Sequence, residues 1–332
     1  MVGATGAVGE ALVSILEERD FPVRELHLLA SSRSAGTRVE FKGKHCLVRD
    51  VAGFDFSQVQ IAFFSAGEAV SAEYAPKAAA AGCVVIDNTA RFRYEPDIPL
   101  VVPEVNPQDI ARYKNRGIIA NPNGPTIQMM MALKPIHDAA GIERLNVCTY
   151  HSVSDTGEEA IKELASQTAL LLNGQPVKPR VYPKQIAFNC LPQIDEFLDN
   201  GYTKEEMTLV WETRKILGDE SIQVNPTAVR VPVFYGHAEA VHIETRKKIS
   251  AEEARRLLKK APGVKVVDER KPGGYPTAVT ESVGKDAVYV GRIREDLSHP
   301  RGLDLWVVSD NLRKGSALNS VQIGEYLVNN YL

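Results

Sequence analysis

Val2-Gly3-Ala4-Thr5-Gly6-Ala7-Val8-Gly9 is the stretch that decides how this chain folds. Its glycines recur at every third position, Gly3, Gly6 and Gly9, and run directly into an amphipathic segment over 10–18. A strand-like run over 25–30 follows, with Leu26, Leu28 and Leu29 as its apolar residues. A glycine-rich turn that opens a helix and leads to a further strand is the beginning of a parallel, doubly wound sheet, because only Gly lets the backbone turn and approach so closely there. The alternation continues through an apolar run at 61–67, an alanine-rich helix to Ala81, Val84-Val85-Ile86-Asp87 and a last strand over 117–120. Alternating strands and helices of this kind place the chain in the α/β class.

Length divides the rest. At 332 residues the chain exceeds what one core usually serves, so two domains are expected. The first is read as 1–125, joined by an apolar C-terminal helix over 314–332. The second is read as an α+β domain over 126–313, on helical patterns at 158–172, 204–217 and 251–260 and alternating residues at 240–245. Only Met1 and Val2 precede the glycine loop, and a parallel sheet needs a first strand there, so several upstream residues are expected to be missing.

Composition excludes whole classes of function. Thirty-nine basic residues face 42 acidic ones, for a net charge of -3, and the longest basic run is Arg246-Lys247-Lys248, which argues against nucleic acid and anionic membranes as partners. No apolar stretch approaches the roughly 18 residues that span a bilayer, and the N-terminus has no secretory pattern, which points to the cytoplasm. Cys46, Cys83, Cys148 and Cys190 are scattered without metal-type spacing, so they are expected to be buried thiols and no metal site is expected.

The loop itself suggests a ligand. Amides at the start of the first helix, around Gly3, Thr5, Gly6, Ala7 and Val8, suit a pyrophosphate. At the end of the second strand stand Ser31, Ser32, Arg33 and Ser34, where a site that prefers NAD would carry an acid for the ribose hydroxyls. Hydroxyls and a guanidinium suit a 2′-phosphate, so the expected cofactor is NADP. A solvated polar turn would carry the same residues without any ligand.

From Asn121-Pro122-Asn123 onward the pattern becomes specific. Together with Ser31-Ser32-Arg33-Ser34-Ala35-Gly36, Val102-Pro103-Glu104-Val105-Asn106, Arg230-Val231-Pro232-Val233, Gly236-His237 and Asp310-Asn311-Leu312-Arg313-Lys314-Gly315, it makes the chain resemble the aspartate-β-semialdehyde dehydrogenase family over nearly its whole length. The resemblance implies a Rossmann-type domain plus a catalytic and dimerisation domain, assembled as a homodimer or homotetramer. It implies NADPH-dependent reduction of aspartyl phosphate, on the route to lysine, threonine and methionine, through a cysteine thioester. It further implies Ser65, Gly157 and Asn311 as cofactor contacts beside the glycine loop. Arg93, Asn123 and Lys215 match the phosphate-binding set, Glu212 the group that receives the substrate amine, Arg230 the clamp on its α-carboxylate, and His237 the acid/base.

Four positions depart from that family. Gly124 and Pro125 occupy the places of the nucleophilic cysteine and a hydroxyl residue, and glycine has no atom that could form the thioester. His151 stands where a glutamine is usual, and Asp155 where a glycine is usual. An added carboxylate there disfavours an anionic substrate. Cys148 lies near in sequence, but strand alternation sends it away from His151. The resemblance with these departures implies an NADP-binding relative that oligomerises and has lost catalysis, alone or beside an active paralogous subunit. An active oxidoreductase, either a nucleophile-deleted copy of a working enzyme or one with altered chemistry, is the alternative. A structural protein without cofactor is the third reading. Taken without the resemblance, Glu212 and Lys215, three apart on a helix, would read as a surface ion pair and His237 as a structural histidine.

Overall fold

A computed structural model describes residues 1–332. The chain divides into two compact units, Met1–Asn123 with Gly315–Leu332, and Gly124–Lys314, against sequence boundaries placed at 125 and 314.

In the first unit α1 (Ala7–Glu18) leaves the glycine loop, followed by β1 (Leu28–Ala30), β2 (Arg38–Phe41), β3 (Lys44–Asp50), β4 (Ile61–Phe64), α2 (Glu68–Ala80), β5 (Val84–Asp87) and β6 (Ile118–Ala120). β4, β5 and β6 form one parallel set, while β1 pairs in parallel with β3, which turns back antiparallel onto β2. Val2 bridges both sets, pairing in parallel with Leu29 and with Phe64. β1 is shorter than the sequence suggests, because residues 25–27 pair with no strand.

The second unit contains α3 (Gly124–Ala140), β7 (Ile142–His151), α4 (Glu158–Leu172), α5 (Lys204–Leu217), β8 (Gln223–Arg230), β9 (His237–Thr245), α6 (Ala251–Lys260), β10 (Val264–Val266), β11 (Val288–Glu295) and β12 (Gly302–Ser309). Its six strands run in the order β10-β11-β12-β9-β7-β8, with parallel pairs at the two edges and antiparallel pairs between them. α5 is defined at both ends by local chemistry. Thr203 and Glu206 close a capping box, and Gly218 ends the helix with φ 63°, a left-handed conformation that suits glycine.

The last helix, α7 (Leu318–Asn330), belongs to the first unit. Its Leu318, Val321, Ile323 and Leu327 are buried in one cluster with Leu12, Ile15 and Leu16 of α1 and Ile86 and Ile119 of the sheet. No helix of the chain is long and apolar enough to cross a membrane.

Close backbone packing at the glycine loop yields a direct test. A Cβ at Gly9 would sit 2.0 Å from the Gly3 carbonyl oxygen, whereas one at Gly6 would meet nothing nearer than 3.8 Å. Gly6 also has an ordinary φ of -91°. Gly9→Ala is therefore expected to destabilise the first unit by about 1–3 kcal/mol in chemical denaturation, and Gly6→Ala by roughly 0.5 kcal/mol or less.

Candidate active site and cofactor loop

The first unit holds the loop read as a cofactor cradle. Gly3 and Ala4 both donate amides to the Leu29 carbonyl, at 2.8 and 3.2 Å, and the Ser65 amide donates to Val2 at 2.9 Å. These bonds press the loop between two strand ends. Gly3 has φ 90°, and a Cβ there would lie 2.7 Å from the Ser65 carbonyl carbon, so this residue is confined to glycine. Gly6 caps α1 without any side-chain hydrogen bond, and the first-turn amides have no side chain of their own to satisfy them. A bare helix N-terminus in a glycine cradle fits a dinucleotide phosphate. Beyond β1, Ser31, Ser32 and Arg33 lie exposed in a turn.

At the same carboxyl edge of the parallel strands, beyond β5 and β6, the segment leading to Asn123 is fixed by amides. Asn121 donates to Asn88 Oδ1 at 3.0 Å and accepts from Asn319 of α7 at 2.7 Å, and Asn319 also donates to the Val101 carbonyl. Arg93, buried, donates from Nε to the Asn121 carbonyl and from an Nη to the Asn88 carbonyl, both at 2.9 Å. Asp87 is fully buried beneath this lattice, bonded by Ser71 and Thr89. Burial pushes its carboxyl up from the usual range, against those donors and Arg93.

In the second unit, strand direction gathers the other side chains. β7 and β8 are parallel with His151 opposite Arg230, and β9 runs antiparallel to β7. Two strand ends and one strand start therefore meet at one edge of the sheet, bringing His151, Arg230 and His237 together. The two imidazole rings lie 4.7 Å apart. A short turn, Val153–Asp155, then folds Asp155 back over them.

The contacts define charge states. Arg230 donates from one Nη to the Ser152 carbonyl at 2.7 Å and to Asp155 Oδ2 at 3.0 Å. His237 Nδ1 accepts the Ser152 amide at 3.2 Å, so its hydrogen resides on Nε2, which faces Asp155 Oδ1 at 3.7 Å. His151 Nε2 bonds Thr149 Oγ1 at 2.8 Å, while its Nδ1 is buried without a partner, 3.7 Å from Asp155 Oδ2. Burial pushes His151 down to about 4, opposed by Asp155 and assisted by His237 and Arg230. For Asp155, burial alone would raise the carboxyl. The two imidazoles and the Arg230 charge outweigh it and hold the group well below the carboxylate range.

His151, Asp155 and His237 offer atoms within 4.8 Å of one another that could ligate a metal ion. Their arrangement is that of an ion-pair network, with Asp155 engaged by Arg230 and the His237 Nε2 lone pair occupied by hydrogen.

The remaining residues fall on separate supports. Gly124 is the first residue of α3 and Pro125 the second, where a missing amide costs no helix bond. Glu212 is fully buried on α5, which sets aside the surface ion-pair reading, and Lys215 lies one turn further on the same helix. Gly157 caps α4 with φ 115°. Asn311 accepts from the Gly236 amide at 2.8 Å and donates to Ser154 Oγ at 3.0 Å, so it steadies the segment that enters His237.

The thiols correct one expectation. Only Cys83 is buried; Cys46 and Cys148 are partly exposed and Cys190 is exposed. Burial pushes Cys83 up to about 12. Tyr150 is also raised to about 12, first by its hydrogen-bonding contact with Cys148 and then by burial, and it feels Cys190 too. Tyr150 packs on Trp306. Cys148 shares with Tyr150 the face of β7 opposite to His151.

Sequence patterns did not point to Glu239, which sits opposite Thr149 in the sheet. Both its carboxyl oxygens and Gln128 Nε2 are buried and unpartnered. Burial holds Glu239 well above the usual carboxyl range, with Gln128 the opposing influence. Alternation from His237 was the available signal, since residues two apart share a face.

Comparison with known proteins assigns the two units to two halves of one class. Residues 1–113 match the family described as semialdehyde dehydrogenase, NAD binding domain, and residues 133–314 match semialdehyde dehydrogenase, dimerisation domain. The class is thus an NAD(P)-binding α/β protein with a dimerisation domain. An aspartate-semialdehyde dehydrogenase of Shewanella violacea is 62% identical over 331 residues, covering 100% of this chain and 97% of that protein. The crystal structure of aspartate semialdehyde dehydrogenase II from Vibrio cholerae complexed with ASA has a TM-score of 0.97 at 60% identity, covering 100% of this chain and 98% of that one. An aspartate semialdehyde dehydrogenase with NADP from Candida albicans has a TM-score of 0.78 at 25% identity, covering 98% of this chain and 97% of that one. The chain belongs to the aspartate-semialdehyde dehydrogenase family.

His151 gives the site a pH signature. Its folded value of about 4 lies below the ordinary 6.5, so the unfolded chain takes up the proton first. The stability contribution is complete above 6.5 and is lost as pH falls toward 4. Relative to His151→Gln, the native protein is expected to lose about 3 kcal/mol between pH 7 and pH 4, measured by urea denaturation at each pH. Parallel pH curves for the two proteins would disprove the assignment.

Proposed function

We propose that this protein binds NADP as an assembled member of its family and has lost the thioester chemistry that turns the semialdehyde over. The observation that carries this reading is Gly124, the residue that follows Asn-Pro-Asn and opens α3. A helix start lowers the pKa of a cysteine and presents it to an acyl carbon, but glycine brings no sulfur to that place. Cys148 does not replace it within the second unit, since it lies with Tyr150 on the face of β7 opposite to His151. His151 and Asp155 alter the surroundings of His237 as well, so the departure is not confined to one atom.

The cofactor side supports binding. Gly3, Thr5, Gly6, Ala7 and Val8 would hold the pyrophosphate, Ser31, Arg33 and Ser34 the 2′-phosphate, and Ser65, Gly157 and Asn311 the remainder. Arg33 is exposed and free of any ion pair, ready to meet a phosphate, and no carboxylate stands in that turn to oppose one. When bound, the cofactor supplies a hydride acceptor or donor. His237, with its hydrogen on Nε2, is the group that would hold or pass a proton, and Arg93, Asn123, Glu212, Lys215 and Arg230 would bind substrate. Dimerisation through the second unit is part of the proposal, as a homo-oligomer or beside an active paralogous subunit in the pathway to lysine, threonine and methionine.

Purified protein is expected to quench its fluorescence on NADPH titration yet to form no NADPH from aspartate semialdehyde, phosphate and NADP. Gly124→Cys alone is expected to restore at most a trace of turnover, and Gly124→Cys combined with His151→Gln and Asp155→Gly to raise it by about two orders of magnitude or more over the single change, the scale of a repaired catalytic group. Ordinary turnover by the unaltered chain, or an acyl adduct on any of its cysteines in mass spectrometry, would overturn the reading.

A further inference from the structure

We infer that Arg230 is the centre of a built carboxylate site which the chain fills with its own Asp155, so that this residue decides which ligands the second unit accepts. The inference names the ligand class of the site proposed above and is read by binding alone, so it stands or falls whether or not the protein turns over substrate.

Three observations lead there. The Arg230 guanidinium is nine-tenths buried and ends β8; a charge in such a place needs an anion or several acceptors. Asp155 provides that anion with one oxygen at 3.0 Å, while its own side chain is 37% exposed. The negative group thus reaches in from the open side, as a ligand would. Finally, the match is incomplete. Arg230 Nε is buried with no partner, because Asp155 engages a single Nη and not the two-pronged edge that a carboxylate can grip. His151 Nδ1, also buried and unpartnered, is aimed at the same carboxylate from 3.7 Å, and His237 Nε2 approaches its other oxygen at 3.7 Å. An arginine and two imidazoles thus converge on a carboxylate tethered only by a short turn.

Asp155 excludes a second carboxylate by charge and by position. Without it, a free carboxylate could lie parallel to the guanidinium and use Nε as well. Charge-assisted hydrogen bonds are the strong ones, so the gain expected is about tenfold to hundredfold in affinity.

Isothermal titration with succinate, and with neutral succinamide as control, tests this on the full-length protein and on Asp155→Ala. Succinate is expected to bind the variant at least about tenfold more tightly than the native chain, succinamide equally weakly to both, and Asp155→Ala/Arg230→Gln is expected to lose the gain. Circular dichroism confirms folding, and should the alanine variant fail to fold, Asp155→Asn, which keeps the shape and removes the charge, is expected to show the same direction. Equal succinate affinity for native chain and folded variant overturns the inference, as does a gain that survives removal of Arg230. A Zn²⁺-dependent rise in melting temperature that the native chain shows and Asp155→Ala lacks would also overturn it, by making Asp155 a metal ligand with His151 and His237.

Discussion

A guanidinium closed off from water must be answered by the groups around it, and in the second unit everything near the sheet edge is organised by that demand at Arg230. Because β7 and β8 run parallel, Arg230 emerges beside His151. Because β9 runs the other way, His237 starts where the other two end. The turn after β7 then supplies the Ser152 carbonyl and the Asp155 carboxylate to the same Nη, and the Ser152 amide fixes the His237 tautomer. One backbone residue thus holds the cation and the acid/base candidate at once. His151 is neutral in this company, since a second buried positive charge beside Arg230 would have only Asp155 to share.

The first unit rests on a different constraint, steric instead of electrostatic. Gly3 and Gly9 are held by backbone atoms that leave no room for a Cβ, and this tightness lets α1 start against the strand ends with its amides open. The Asn88, Asn121 and Asn319 lattice performs the corresponding service beyond β5 and β6, tying the chain that arrives at Asn123 to the C-terminal helix. The glycine cradle uses no charged side chain, and the amide lattice only the Arg93 guanidinium. Both leave the chemistry to whatever binds.

Much of this was legible in the residues themselves. The glycine spacing announced α1, and the helices at 158–172, 204–217 and 251–260 fell where their apolar period placed them, since amphipathic helices carry their own pattern. Alternation along β7 was enough to send Cys148 away from His151. Strand ends were less visible: β1 is only Leu28–Ala30, because pairing partners and not propensity decide where a strand begins. Asp155 shows the limit most clearly. Its charge could be weighed from sequence as repulsive toward an anion, yet its attachment to Arg230 depends on a register between strands about 80 residues apart in the chain. Glu239 was signalled only by its alternation with His237, and the burial of cysteines was overestimated because a residue type's average says little about one position.

Glu239 carries a consequence of its own. A carboxyl sealed in the interior with no cation beside it and only the Gln128 amide to oppose burial favours keeping its proton. Folding is therefore favoured by this group on the acid side, and the favour drains away as alkalinity strips the proton. His151 behaves as the mirror image. The two trends oppose one another, since the protons that favour the buried acid work against the buried base. The interior thus holds a buried acid and a buried base that are both tolerated uncharged, and no single change of pH suits the two alike.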